Sequence, residues 1–96
     1  MKPSEILQTH REEVIRIVLS HRVINARIFG SVLRGEDTEE SDLDILVDST
    51  SETTLMDIGA IRFELRKLLG ISVDVLTPKA LPVKFRDNVI SEAMPI

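Results

Sequence analysis

The sequence contains no cysteine, no tyrosine and no tryptophan, and only three phenylalanines in 96 residues. Without cysteine there is no disulfide framework and no thiolate metal site. With so few rings, aliphatic Ile, Val and Leu must fill the interior, and interleaved aromatics for base stacking are missing. No apolar run approaches the roughly 18 residues needed to span a bilayer. The N-terminal stretch carries Lys2, Glu5, His10 and Arg11 among its apolar residues, unlike a secretory leader. The expectation is a cytoplasmic protein without membrane contact.

Positive charge is also short. Twelve Lys and Arg face sixteen Asp and Glu, for a formal net charge of −4. Such a chain lacks the field of a general nucleic-acid binder, so direct binding of long nucleic acid is not expected. A nucleotide carried by metal ions remains open, because the metal supplies the positive charge. Hydrophobic residues at 43% and charged residues at 29% are in the range of a folded globular domain. The length suggests one domain over residues 1–96. A chain this short buries only about 60–65% of its unfolded surface. Its core is thin, and a homo- or hetero-oligomer would be in keeping with it.

From Pro3 to about Ser20, Ile6, Leu7, Val14, Ile17 and Val18 fall at helical spacing, with Ser4 as a plausible cap. Val23 to Phe29 is rich in β-formers and predicts a strand ending at Gly30-Ser31, followed by a short helical piece from Val32 to Arg34 closed by Gly35. Glu36 to Ser41 is polar and aperiodic, an exposed loop. Asp42 to Asp48 alternates: Leu43, Ile45 and Val47 point one way, and Asp42, Asp44 and Asp48 the other, with Leu46 among them. Leu55, Ile58, Ile61, Leu65 and Leu68 mark a helix that Gly70 terminates. Ile71 to Leu76 alternates again, with Asp74 opposite Ile71, Val73 and Val75. Pro78 breaks it, Pro82 suits a first helical turn, and Val83, Val89, Ile90 and Ala93 suggest a last helix.

Strand, helix and strand in succession imply a right-handed crossover, so the second and third strands should be parallel neighbours. The first strand, reached by a short connection, should be antiparallel to the second. The expected class is α/β (α+β): a small mixed β-sheet with helices over one face and the acidic face open.

Asp42 and Asp44 are two residues apart on one strand, so their side chains share a face roughly 7 Å apart at the backbone. Asp74 shares that face from the adjacent strand. Three carboxylates meeting there would repel one another and raise each other's pKa. A hard divalent cation relieves the conflict, and Mg²⁺ favours a few carboxylates together with phosphate oxygens. Two such ions clamp the attacking and leaving oxygens in phosphoryl transfer. Asp42 and Asp44 would bridge the metals, and Asp74 would serve the one that activates an incoming hydroxyl. Gly30-Ser31, at the start of a helical turn, offers backbone N–H groups to an anion and lets a phosphate approach closely. Arg34, one turn on, is placed to meet a phosphate oxygen.

Other motif readings fail. Gly30 and Gly35 have P-loop spacing, but Glu36 and Asp37 stand where Lys and Ser/Thr are required. Asp37 to Leu46 is acidic like a calcium loop, yet its sixth position is not Gly. Taken singly, each chosen residue has a plainer account. A D-x-D pair is most often a solvated strand face, and Gly-Ser a tight turn. Arg34 would suit a surface salt bridge, Asp48 a solvated strand end, and His10 and His21 the surface or a helix end.

Gly30-Ser31, ten intervening residues, Asp42-Leu43-Asp44 and a later strand aspartate resemble the DNA polymerase β-type nucleotidyltransferase superfamily. The stretch FGSVLRGEDTEESDLDILVD is similar to its smallest members, the minimal nucleotidyltransferases, and the likeness runs through VDVLTPKAL to the closing helix. It implies two Mg²⁺ ions, a nucleoside triphosphate (commonly ATP) as substrate, and transfer of a nucleoside monophosphate to a hydroxyl with release of pyrophosphate. The family's metal aspartates match Asp42, Asp44 and Asp74; its phosphate-contacting pair matches Gly30 and Ser31. Minimal members are often antitoxins that adenylylate a tyrosine of a HEPN-domain toxin, so such a toxin is the expected partner. The nucleic-acid-binding domains of the larger polymerases have no counterpart here. The alternatives are a non-catalytic antitoxin that neutralises by contact, and a small-molecule adenylyltransferase of the antibiotic-modifying type, for which a second domain is lacking.

Overall fold

The computed structural model describes residues 1–96. Helices α1 (Pro3–Thr9) and α2 (Arg11–Leu19) lead into strand β1 (Val23–Phe29). A short helix α3 (Gly30–Arg34), strand β2 (Leu43–Ser49), helix α4 (Leu55–Leu69) and strand β3 (Val73–Leu76) follow. A 3₁₀ turn at Pro78–Ala80, helix α5 (Val83–Glu92) and a two-residue strand β4 (Met94–Pro95) close the chain. The sheet order is β3-β2-β1-β4, with β2 and β3 parallel and β1 antiparallel to both β2 and β4. The mixed sheet and the parallel crossover agree with the sequence pattern.

Alternation explains the core. Leu43, Ile45, Val47, Val73 and Val75 are buried on one sheet face, against Val14 and Val18 of α2 and Ile61, Leu65 and Leu69 of α4. Helix α4 is defined at both ends by local chemistry. Thr54 and Asp57 form a capping box: the Asp57 N–H donates to Thr54 Oγ1 and the Thr54 N–H to Asp57 Oδ2. Such a cap contributes about 1 kcal/mol. Gly70, at φ +69°, takes the left-handed conformation that ends the helix. Of the expected apolar stripe, Leu55 is 90% exposed, and the buried face runs through Ile61, Leu65 and Leu69.

Several expectations need correction. The single helix from Pro3 to Ser20 is broken at His10, whose φ of −112° and ψ of 19° lie outside the helical well. Ser4 is no cap; Lys2 precedes the first turn, and the Ser4 N–H is taken by the Asp37 carboxylate at 2.9 Å. Asp37 is therefore buried inside a loop whose polarity suggested full exposure. Its burial opposes ionisation, but the hydrogen bonds from Ser4 and its own backbone and the Lys2 charge outweigh that and hold its pKa below the ordinary value.

Strand β1 carries a bulge that the sequence did not suggest. Ile24 faces Asp48 and Arg27 faces Leu46, so three steps on β1 span two on β2. The extra residue is accommodated by Asn25, at φ +59°, whose side-chain amide donates to Asp48 Oδ2. Without it, Arg27 and Phe29 would turn to the helix-covered side. With it, Arg27 reaches Asp48 at 2.6 Å, so Asp48 is a paired group and not a solvated strand end. The acidic face is also less open than expected. The 3₁₀ turn packs against β2, and both Leu46 and Leu81 are buried.

Candidate active site

Strands β2 and β3 run parallel in a register that makes Asp44 and Asp74 direct Cα partners. Each carboxylate lies on the face opposite the core residues of its own strand, because Leu43, Ile45, Val73 and Val75 all point into the core. Asp42 stands one residue before β2, at the end of the loop, and is exposed. The strand thus begins later than the alternation suggested, but Asp42 remains close enough for its charge to act on Asp44.

Asp44 is the electrostatic centre of the group. Desolvation by its half-buried position, then the negative charges of Asp74 and Asp42, push its pKa up to about 6, with Arg34 acting in the opposite direction. Two carboxylates in register on adjacent strands are expected to behave this way unless a cation neutralises them. The donors are all carboxylate oxygens, which suits a hard divalent ion. As their side chains stand, they do not close into a preformed cage of three ligands. Asp74 is held from the other side by Arg66 of α4, whose Nε donates to the Val73 carbonyl at 3.0 Å while Nη2 lies 3.7 Å from Asp74 Oδ1.

The Gly30-Ser31 bend is built against this group. Gly30 opens α3 at φ +76°, and a Cβ added to it would lie 2.3 Å from Asp44 Oδ2. Glycine is required there on both counts. Helix α3 begins at Gly30 itself rather than at Val32, and Gly35 closes it in the left-handed conformation. Phe29, the residue before the bend, pairs with Asp44 across β1 and β2. Arg34 is exposed, 3.6 Å from Glu36. Gly30 and Arg34 also line a cleft of about 430 Å³ whose other wall is α5. Asp44 and Asp74 are therefore brought together, Asp42 and Arg34 lie near enough for their charges to act on Asp44, Gly30 packs against its carboxylate, and Ser31 follows Gly30 in α3. His10 pairs with Glu13, and His21, in the turn after α2, with Glu64 of α4, both outside this group. Sequence reasoning missed Arg66; an arginine eight residues before an aspartate gives no signal until the helix packs on the strand.

A small mixed sheet that carries clustered carboxylates beside a glycine-serine bend defines a nucleotidyl-transferring class of enzyme. The family described as nucleotidyltransferase domain matches residues 7–96, and the chain belongs to that family. A Methanocaldococcus jannaschii protein named provisionally as a protein adenylyltransferase is 38% identical over 86 residues, covering 90% of this chain and 92% of its own. A solved structure described as a minimal nucleotidyltransferase superposes with a TM-score of 0.85 at 39% identity, over 97% of this chain and 95% of that one. A toxin–antitoxin crystal structure containing AMP-PNP shares the fold, at TM-score 0.74 and 17% identity, over 88% of this chain and 69% of that one. No helix is long and apolar enough to cross a membrane.

Proposed function

We propose that residues 1–96 act as one minimal nucleotidyltransferase domain that transfers AMP from Mg²⁺-bound ATP to a hydroxyl on a partner protein. The acceptor in this reading is a tyrosine of a HEPN-type toxin, and the protein serves as the cytoplasmic antitoxin. The observation that carries it is the Asp44–Asp74 register pair, with Asp42 beside it and Gly30 against Asp44. The protein adenylyltransferase name of a relative 38% identical supports the AMP reading. The AMP-PNP and the toxin–antitoxin pairing belong to a structure that shares the fold, and they are consistent with it.

In this reading Asp42, Asp44 and Asp74 hold two Mg²⁺ ions. The ions supply neutralisation of the phosphate charge and activation of the attacking and leaving oxygens. Gly30 and Ser31 present backbone N–H groups and a hydroxyl to the β- and γ-phosphates, and Arg34 adds a cation at their edge. The acceptor oxygen attacks the α-phosphorus, the bond from that phosphorus to the bridging oxygen breaks, and pyrophosphate leaves. Asp74 orients the acceptor hydroxyl and receives its proton. Arg66, 3.7 Å from the Asp74 carboxylate, is the side chain placed to orient it.

The test is incubation of the protein with labelled ATP, Mg²⁺ and the product of the neighbouring gene. Label on that product, lost in the double variant Asp42→Ala/Asp44→Ala, is the expected result. Neutralisation of the partner that persists undiminished in the double variant would instead establish an antitoxin that works by contact alone.

A further inference from the structure

Helix α5 is anchored at its start and bare along its length. The Arg86 guanidinium donates to the carbonyls of Pro78, Lys79 and Leu81, fixing the first turn to the 3₁₀ segment. Yet none of the helix's ten residues is buried, and Phe85 is 52% exposed. Helices of soluble domains gain most of their stability by packing an apolar stripe. Here the face at Phe85, Asn88, Val89 and Glu92, apolar only at Phe85 and Val89, borders the cleft of about 430 Å³ instead of filling it.

The opposite wall of that cleft contains Phe29, Gly30 and Arg34. Gly30 also packs against the Asp44 carboxylate, so the cleft borders the carboxylate group. Its walls are mainly apolar, with Leu76 and Leu81 at the sheet side. The Asn88 carboxamide is the one uncharged hydrogen-bonding side chain among its lining residues. A mainly apolar slot with one amide, which also has the charged Arg34 and Glu92 in its lining and opens beside a site for phosphates, has the chemistry of a nucleobase pocket.

We propose that this cleft receives the adenine ring of the nucleotide and that Asn88 reads its edge. The inference rests on the nucleotidyltransferase reading given above. Adenine presents a donor and an acceptor side by side, which an amide matches with its own acceptor and donor. Guanine presents two acceptors on its major-groove edge and two donors, N1–H and N2–H, on its pairing edge; an amide that pairs with O6 and N1–H leaves the N2–H donor unmatched. The apolar surface of Phe85 and Val89 contacts the ring, which supplies α5 with the cover that the free chain lacks.

Binding of Mg·ATP, Mg·GTP and Mg·tripolyphosphate to the full chain by calorimetry tests this. Tripolyphosphate reports on the phosphate site without a base. Asn88→Ala and Phe85→Ala are each expected to weaken ATP about tenfold, the scale of a bidentate base contact or a lost ring contact, and to leave tripolyphosphate unchanged. Asn88→Asp is expected to move the ATP-to-GTP affinity ratio about tenfold toward GTP, because a carboxylate accepts from guanine's paired donors. ATP binding at wild-type strength in both the alanine variants overturns the pocket and leaves the proposed function standing. So does wild-type ATP binding no tighter than tripolyphosphate, or equal loss of both ligands in the variants. Failure of the wild-type chain to bind even tripolyphosphate removes the phosphate site itself, and the base pocket with it.

Discussion

Gly30 and Asp44 approach so closely that a single added methyl group would sit 2.3 Å from the Asp44 carboxylate. Gly35 also has positive φ, yet a Cβ on it would meet nothing within 4 Å. The two glycines therefore separate backbone strain from steric conflict. Gly35→Ala is expected to cost about 1–2 kcal/mol of stability, the penalty of a left-handed alanine, and to leave nucleotide transfer intact. Gly30→Ala carries the same strain and also displaces Asp44 or the bend, so transfer is expected to fall at least about a hundredfold, as for other displaced reacting groups. Urea denaturation and labelled-ATP transfer on both variants measure the two effects.

The raised pKa of Asp44 has a consequence for stability without metal. A carboxylate titrating near 6 when folded and near 3.8 when unfolded favours the folded state below the lower value. That advantage is lost as pH rises through about 6. Asp44→Asn is therefore expected to match the wild type near pH 3.5 and to exceed it in stability at pH 7.5. The group is half-exposed, so solvent screening reduces the gain to about 1–2 kcal/mol. Urea midpoints at the two pH values, with chelator present, give the answer. Added Mg²⁺ is expected to narrow the gap at pH 7.5 by stabilising only the wild type.

The alternation at Leu43–Val47 and Val73–Val75 was enough to place Asp44 and Asp74 together, because a two-residue period and a right-handed crossover leave little freedom. The bulge at Asn25 was only weakly legible: asparagine takes positive φ more readily than most residues, but nothing else in the β-rich run marks the +59° it adopts. The break at His10 was not legible. The apolar spacing continues through it, and the interruption appears only when α1 turns to meet Asp37. Burial of the Asp37 carboxylate was hidden too, because the Glu36–Ser41 segment is polar and aperiodic and its partner lies 33 residues away. Local pattern captured what local geometry fixes, and long-range polar contacts escaped it.

Asp37 ties the loop before the candidate site to the start of the chain, and this can be measured. Asp37→Ala removes the acceptor for the Ser4 N–H and is expected to cost about 1–2 kcal/mol at pH 7, the usual loss at a helix N-terminus. Asp37→Asn keeps an acceptor and is expected to lose less. The pKa of Asp37 is depressed on folding, so its contribution is present above the ordinary carboxylate range and disappears as pH falls through the lower folded value. The Asp37→Ala deficit should therefore be full at pH 7 and shrink in acid. An unchanged deficit at pH 2 would mean that packing, not the ionised carboxylate, holds the loop.

Arg66 offers a sharper question about Asp74, because its two contacts have different chemistry. Its Nε bond to the Val73 carbonyl fixes the guanidinium, and its Nη2 lies 3.7 Å from the carboxylate. Arg66→Lys retains a positive charge but not the planar fork that spans both groups. Both residues are substantially exposed, so neither substitution is expected to change stability by more than about 1 kcal/mol. If Arg66 orients Asp74, Arg66→Met is expected to lower kcat for transfer about tenfold while KM for ATP stays near the wild-type value, and Arg66→Lys to recover only part of the loss. If the arginine merely braces α4 on β3, both variants would lose stability and leave kcat unaltered. Steady-state kinetics alongside urea melts separate the two, since orientation of a proton acceptor is felt in the reaction step and bracing is felt in unfolding.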